Sequence, residues 1–441
     1  MSEWQETTIA EVAFISSGKR PPVVRETPAD GCRIPVLGGS GIMGYTNEPL
    51  YNHPVLVTGR VGTLGQLYRC TGPSWPSDNT LVIVAKHDRI NQDFLYYALR
   101  TRIEQTVRLN RGSSNPLITQ RDLGSLSIVV PSIDQQRAIA QILGTLDDKI
   151  ELNRRMNETL EAIARAVFKS WFVDFDPVID NALKAGKPIP DKLKGKAARR
   201  REVLARARAE GRLAGLPEHL ARLFPDEFEE SELGWIPKGW RAVSLPEAVE
   251  VNPLRKLRKG EIAPYLDMAN MPTRSARALR FCYRKYTSGT RFISGDVLLA
   301  RITPCLENGK VCYVDFVEKD KVGWGSTEYI VLRSKPPLPL EYVYFLIRTE
   351  EFRTFGIANM TGTSGRQRLS AESLKYYLVV VPTVEIAKIF GEFASLIFAK
   401  LKANDEESLT LATLRDALLP KLISGKIRVK DAEKFLEEQQ L

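Results

Sequence analysis

The chain has 441 residues, enough for two or more domains with separate cores, and its 43% hydrophobic and 26% charged content is ordinary for a globular protein. No apolar run reaches the roughly 18 residues of a membrane span, and the opening MSEWQETT lacks a signal-peptide core, so a cytoplasmic protein is expected. Five cysteines without CxxC spacing argue against disulfides and against a zinc site, while a net charge of +10 favours a polyanionic partner without naming it.

From Trp4 to Val130 short β-branched runs alternate with turn residues. The pattern predicts strands over Arg33–Leu37, Val55–Thr58, Gln66–Tyr68 and Thr80–Val84, and a helix over Asp93–Val107. Gly39-Ser-Gly41-Ile-Met-Gly44 formally matches a dinucleotide fingerprint. That fingerprint needs a helix opening on its last glycine, which Pro49 and Pro54 forbid, so the stretch reads as a turn-rich loop.

A long helix follows between Pro131 and Pro177. Ser132 suits its N-cap and Gln135 a capping-box partner. Apolar residues recur in steps of three and four at Ile139, Ile142, Leu146, Ile150, Leu160, Ile163, Val167 and Trp171, interrupted by Asn153 and Asn157. A helix of about 40 residues is about 60 Å long, too long for one compact core, and needs a partner helix along its stripe.

Phe175 to Leu233 has no counterpart later in the chain and is rich in lysine and arginine between Lys184 and Arg208. It reads either as a solvated linker with short helices or as a basic surface for a nucleic-acid backbone. At Trp240 the first plan starts again: His53–Val57 corresponds to Gly295–Leu299, Trp75–Ile83 to Trp324–Leu332, and Phe94–Thr101 to Tyr342–Thr349. Scaffold positions agree while loops differ, as they do between Asn110–Asn115 and Met360–Arg368. Two copies of one fold with different loops suit two different ligands of one kind.

A second long helix follows Pro382. At a single offset of 251 residues, Phe390, Phe393, Ile397, Leu401, Asn404 and Leu411 fall on Ile139, Ile142, Leu146, Ile150, Asn153 and Leu160. An ungapped match of stripe and interrupting asparagine indicates an internal duplication. The two helices are expected to pair antiparallel about a pseudo-twofold axis, with these twelve residues in the seam.

Catalytic signatures are missing. His53, His87 and His219 are scattered, no phosphate-binding GxxxxGK[ST] loop occurs, and no Asn-Pro-Pro-aromatic methyltransferase motif is present. Asp174 and Asp176 read as a helix terminus rather than a metal pair, and Pro225-Asp226 lacks the downstream Glu-x-Lys of a nuclease.

Leu143–Asn157, Phe168-Lys-Ser-Trp-Phe-Val-Asp-Phe-Asp-Pro177, Leu223–Asp226, Ser231–Trp240 and Leu418–Gly425 together resemble the type I restriction–modification specificity subunits. The resemblance covers the whole chain. One departure is Val384-Glu385-Ile386, which lacks the Gln-Gln-Arg found at Gln135–Arg137. The resemblance implies an α+β protein with two similar mixed α/β target-recognition domains separated by two long antiparallel coiled-coil helices. The expected parts are a first recognition domain over 1–131, a central helix over 132–176, a basic linker insertion over 177–234, a second recognition domain over 235–381 and a distal helix over 382–441. It further implies a non-catalytic subunit that reads an asymmetric bipartite site in double-stranded DNA. Two modification subunits carrying S-adenosylmethionine, and restriction subunits using ATP and Mg, would be its partners. No cofactor is expected in this chain.

Base reading needs polar side chains on loops. In the first domain Gly38, Gly39, Ser40, Arg60, Asn79, Arg111, Ser113, Ser114 and Asn115 are the candidates. In the second they are Arg301, Thr303, Thr363, Ser364, Arg366, Gln367 and Arg368. The same residues also read as turn-forming or solvent-facing. A duplicated scaffold that binds proteins without reading DNA is the alternative function.

Overall fold

The computed structural model describes residues 4–29, 31–110, 116–212, 215–363 and 365–438. The chain divides into two compact units, Met1–Leu152 with Glu407–Leu441, and Asn153–Glu406.

In the first unit Ala13–Ser17, Thr80–Ala85, Val55–Gly59 and Leu67–Cys70 form an antiparallel sheet in that order. Every residue of Val55–Gly59 is buried, which suits an inner strand covered on both faces. A smaller sheet pairs Gly41–Thr46 antiparallel and Trp75–Pro76 parallel to Ile34–Gly38. Gln5–Thr8 pairs with Ser127–Val130 and ties the start of the unit to its end.

The second unit repeats this plan. Val249–Val251, Tyr329–Ser334, Val297–Ala300 and Val311–Tyr313 form the larger sheet. Ile262–Leu266 lies between Cys282–Lys285 and the parallel Gly323–Gly325, with Thr290–Phe292 as an added edge. Arg241–Ser244 pairs with Leu378–Val381. Strand order, direction and the parallel tryptophan strand are shared by both units.

Two 40-residue helices, Ile133–Phe172 (central) and Val384–Ile423 (distal), each contribute one half to each unit. In the first unit Ile139, Ile142 and Leu146 are buried with Leu411, Leu418 and Leu422, and Ile150 packs at their edge. In the second, Phe390 and Leu401 are buried with Ala164 and Phe168, while Leu160, Phe393 and Ile397 pack against them. Asn157 Nδ2 donates to Leu401 O at 3.2 Å and to Asp405 Oδ1 at 2.8 Å, while Phe168 lies 5.7 Å from Phe390. Rising numbers on one helix therefore meet falling numbers on the other, so the pairing is antiparallel. Asn153 and Asn404 are both buried, and Asn153 Nδ2 donates to Asn404 O at 3.4 Å. Polar groups buried at this point require matched partners, which disfavours a slipped register.

Three expectations need correction. The helix expected over Asp93–Val107 runs only from Gln92 to Arg100, because Thr101 Oγ1 takes the Ala98 carbonyl at 2.8 Å, and a short helix resumes at Gln105–Arg108. The glycine-rich loop is a hairpin: Gly39 and Ser40 form its tip and Gly41–Thr46 its second strand. The segment 177–234 is not a solvated linker. Its helices Asp176–Ala185 and Lys194–Ala209 and its hairpin Phe228–Ser231/Gly234–Pro237 are folded, and Val178, Phe224 and Ile236 join the second unit's core.

Candidate nucleic-acid interface

Equivalent strands end in equivalent arginines. In the first unit Arg60 follows Val55–Gly59, its N–H donates to Asn79 O at 2.9 Å, and its carbonyl accepts from Ile118 N at 3.0 Å. In the second unit Arg301 follows Val297–Ala300, donates to Glu328 O at 3.0 Å and accepts from Leu369 N at 2.8 Å. The backbone therefore fixes each arginine between the same two elements and leaves its side chain to vary.

Around Arg60 the chain packs closely. A Cβ on Gly59 would lie 1.9 Å from Thr63 O, so this position requires glycine, and one on Gly39 would lie a tight 3.2 Å from Gly59 Cα where the hairpin tip approaches. Ser40 Oγ lies 3.0 Å from Thr63 Oγ1. Arg60 Nη1 donates to Ser17 Oγ at 3.1 Å, and Gln120 Nε2 donates to the same oxygen at 3.2 Å. Arg60 Nε is buried without a hydrogen-bond partner, and Asn79 stands exposed beside it. Gly38, Gly39, Ser40, Arg60 and Asn79 thus come together. Arg111, Ser113, Ser114 and Asn115 lie outside the described residues.

Around Arg301 the charges are organised by one carboxylate. Arg368 meets Glu328 through Nε at 3.0 Å and Nη2 at 2.8 Å, and donates from Nη1 to Arg366 O at 3.2 Å. Arg301 meets the same carboxylate only through Nε, at 3.3 Å. The Arg368 hydrogen bond, reinforced by Arg301, holds the Glu328 carboxyl below the usual glutamate range. Arg368 is occupied on both edges. Arg301 keeps its two terminal nitrogens free among the described residues, the two-donor edge that fits guanine O6 and N7. Thr303 donates from N and Oγ1 to Gln367 O at 3.0 and 3.2 Å, and Arg366 N donates to Thr363 O at 2.9 Å, which fixes the backbone of the loop. Ser364 lies outside the described residues.

Sequence reasoning missed the basic loops that follow the first strand of each larger sheet, Gly18-Lys19-Arg20 and Asn252–Lys259. Lys19, Arg20, Lys256, Arg258 and Lys259 are exposed. Trp75 Nε1 donates to Lys19 O at 2.8 Å, and Arg255 Nη2 anchors the second loop on the fully buried Asp296 at 3.1 Å. The second loop and Arg291, Arg301 and Thr327 line a cavity of about 230 Å³. Paired prolines and cations after a short apolar run were the available signal.

Asp174 and Asp176 face Lys196, Arg199 and Arg200 rather than a metal, and no group of acidic, histidine or cysteine side chains among the described residues could hold one. Among the described residues no helix is long and apolar enough to cross a membrane.

Residues 1–162 match the family model of the type I restriction modification DNA specificity domain. The chain is 27% identical over 390 residues to the type I restriction enzyme HindI specificity subunit of Haemophilus influenzae, covering 80% of this chain and 81% of that one. It is 22% identical over 391 residues to the MjaIX specificity subunit of Methanocaldococcus jannaschii, covering 86% and 78%. The chain is thus similar to type I restriction–modification specificity subunits along most of its length. Its fold is that of the crystal structure of a type I restriction–modification S subunit from M. genitalium, with TM-score 0.55, 14% identity and 96% of each chain covered.

Proposed function

We propose that this chain is a specificity subunit that reads an asymmetric bipartite site in double-stranded DNA, each unit reading one half. The observation that carries the reading is the pair Arg60 and Arg301. They stand on one backbone frame but beside Asn79 in one unit and Glu328 with Arg368 in the other. An exposed asparagine can pair bidentately with adenine, whereas an arginine oriented by a carboxylate suits guanine, so the two half-sites differ. Two helices of 40 residues, each about 60 Å long, match the scale of one to two DNA turns of about 35 Å and would set the unread spacer.

In this reading the protein works in the cytoplasm. The outer faces of the helices dock two modification subunits, which carry S-adenosylmethionine and flip the target adenine. Restriction subunits with ATP and Mg complete the complex. This chain contributes only base reading and positioning.

The test is to co-express the chain with the adenine methyltransferase subunits of its own genome and map modified adenines by modification-sensitive sequencing. A single asymmetric motif, two short half-sites around an unread gap, is the expected result. A stable complex that writes no new motif would remove DNA reading and leave a protein-binding scaffold.

A further inference from the structure

Residues 184–212 carry eleven lysines and arginines against Asp191, Glu202 and Glu210, a local excess close to the whole chain's net charge of +10. Most of this charge sits on the helix Lys194–Ala209, whose only fully buried residue is Ala197. What holds that helix down is charge. Arg200 Nε donates to Asp180 Oδ1 at 2.9 Å, Lys196 lies 3.3 Å from Asp174, and Arg199 lies 3.3 Å from Asp174 and 3.7 Å from Asp176. These acids, Asp174 in the turn after the central helix and Asp176 and Asp180 on the helix that follows, hold the helix down.

The outer face is left over. With 3.6 residues per turn, Lys194, Arg201 and Arg208 recur every seventh residue along one flank, and Arg199 and Arg206 along the other. Between the flanks stand the exposed Ala198, Ala205 and Ala209, with Glu202 as the one carboxylate. Arg201 and Arg208 have no ion-pair partner among the described residues, and Arg206 meets only the exposed Glu210 at 2.9 Å. Such exposed i,i+4 pairs are worth about 0.3–0.5 kcal/mol and yield readily to a stronger anion. Seven residues advance the helix by roughly 10.5 Å, so each flank is a row of evenly spaced cations, and the alanines let a broad surface come close.

We infer that the outward face of Lys194–Ala209 is a sequence-independent contact for the phosphate backbone of duplex DNA, outside the bases that are read. This rests on the DNA-reading function but adds a second contact to it. A duplex presents a charge about every 1.7 Å of its axis, so cation rows need no fine register with it. An acidic protein is the weaker occupant, because the face offers no aromatic or aliphatic anchor of the kind that centres protein interfaces.

The full chain is titrated onto a labelled duplex carrying its mapped site, and onto a scrambled one, between 50 and 200 mM salt. Arg201→Gln, Arg206→Gln and Arg208→Gln are combined in one variant; all three side chains are exposed, and an unchanged urea midpoint checks folding. Each phosphate contact contributes about 0.9 to the slope of log affinity against log salt. The variant is expected to lose about two to three from that slope, equally on both duplexes, with the preference for the site intact. Glu202→Gln is expected to act with opposite sign and tighten both. A wild type that prefers its site, together with a variant of unchanged slope, overturns this contact alone; loss of a protein subunit at unchanged slope overturns it in favour of an acidic partner. A wild type without site preference sinks the recognition reading, while a shallower slope in the variant still supports the backbone contact.

Discussion

The two units hold Arg60 and Arg301 with the same backbone bonds and surround them with different side chains. Arg60 donates to the neutral Ser17 hydroxyl, which also accepts from Gln120, and stands beside Asn79. Arg301 shares the Glu328 carboxylate with Arg368. The units are also seated differently on their helix halves. In the first unit Asp147 on the central helix accepts from Tyr97 Oη at 2.8 Å and lies 3.7 Å from Arg100. In the second, Phe168 packs within 6 Å of Phe172, Tyr342, Phe345 and Phe390, and the buried Arg277 bridges Asp315 and Asp405. The difference teaches that duplication preserved what the backbone dictates. Divergence went into side chains whose replacement leaves the strand order untouched.

The largest expected effect tests the seating. Phe168→Ala removes a fully buried ring from four aromatic contacts and should cost about 3–5 kcal/mol. Hydrogen exchange should rise first in Asn153–Glu406, and equal loosening of both units would contradict two separate cores. Next comes base reading. Arg301→Ala should weaken binding of the specific duplex by about 1–3 kcal/mol and relax one base in one half-site, while Arg60→Ala relaxes one in the other. Relaxation of the same half-site by both would break the assignment of one half to each unit.

Glu328→Gln sharpens the comparison further, since it gives the second unit a neutral neighbour like that of the first. Preference at the Arg301 base should fall several-fold with little loss of overall affinity. The wild-type arrangement should also depend on pH with a definite sign. Because the folded carboxyl is depressed by Arg368 and Arg301, its contribution is fully present above the unfolded glutamate value of about 4.3 and is lost as pH falls through the lower folded value. Site preference measured downward from pH 8 should therefore hold to about pH 5, and a loss near neutrality would exclude Glu328 as its origin.

Much of this was legible in the sequence, and the reason differs by element. The long helices announced themselves because a three-and-four stripe over 40 residues has no other stable form, and the repeat at Asn153 and Asn404 exposed the duplication. The inner strands were visible as apolar runs. Of the hairpin Ile34–Thr46 the first strand was visible and the second was not, because the glycines at 39 and 44 answer to close backbone approach, which no local pattern reports. Arg368 looked like a base reader, and only its pairing with Glu328, 40 residues away, shows both its edges occupied. The module at 176–237 hid for a third reason: its inner cations are neutralised by acids distant in sequence, so a folded face read as a solvated charge run.

The smallest effect is the one that separates the two seats most cleanly. Tyr97→Phe deletes one hydrogen bond to Asp147, but that carboxylate keeps Arg100 and Arg415 and remains partly open to solvent. The cost should be about 0.5–1.5 kcal/mol, the ordinary net value of a hydrogen bond. In the second unit Tyr344 Oη donates to Glu161 Oε1 at 2.6 Å, where the carboxylate is almost fully buried, accepts from Ala276 N at 3.0 Å, and has Arg348 and Arg165 only at the longer 3.8 and 4.0 Å. Tyr344→Phe therefore strands part of a buried charge and should cost about 1–3 kcal/mol. Urea unfolding of the two variants, repeated at low and high salt, reads the contrast. Added salt screens the partly exposed Arg100 more than it reaches the buried Glu161, so the Tyr97→Phe cost should grow with salt while the Tyr344→Phe cost stays level. Equal costs with equal salt response would mean that the two units sit on their helices by one mechanism after all.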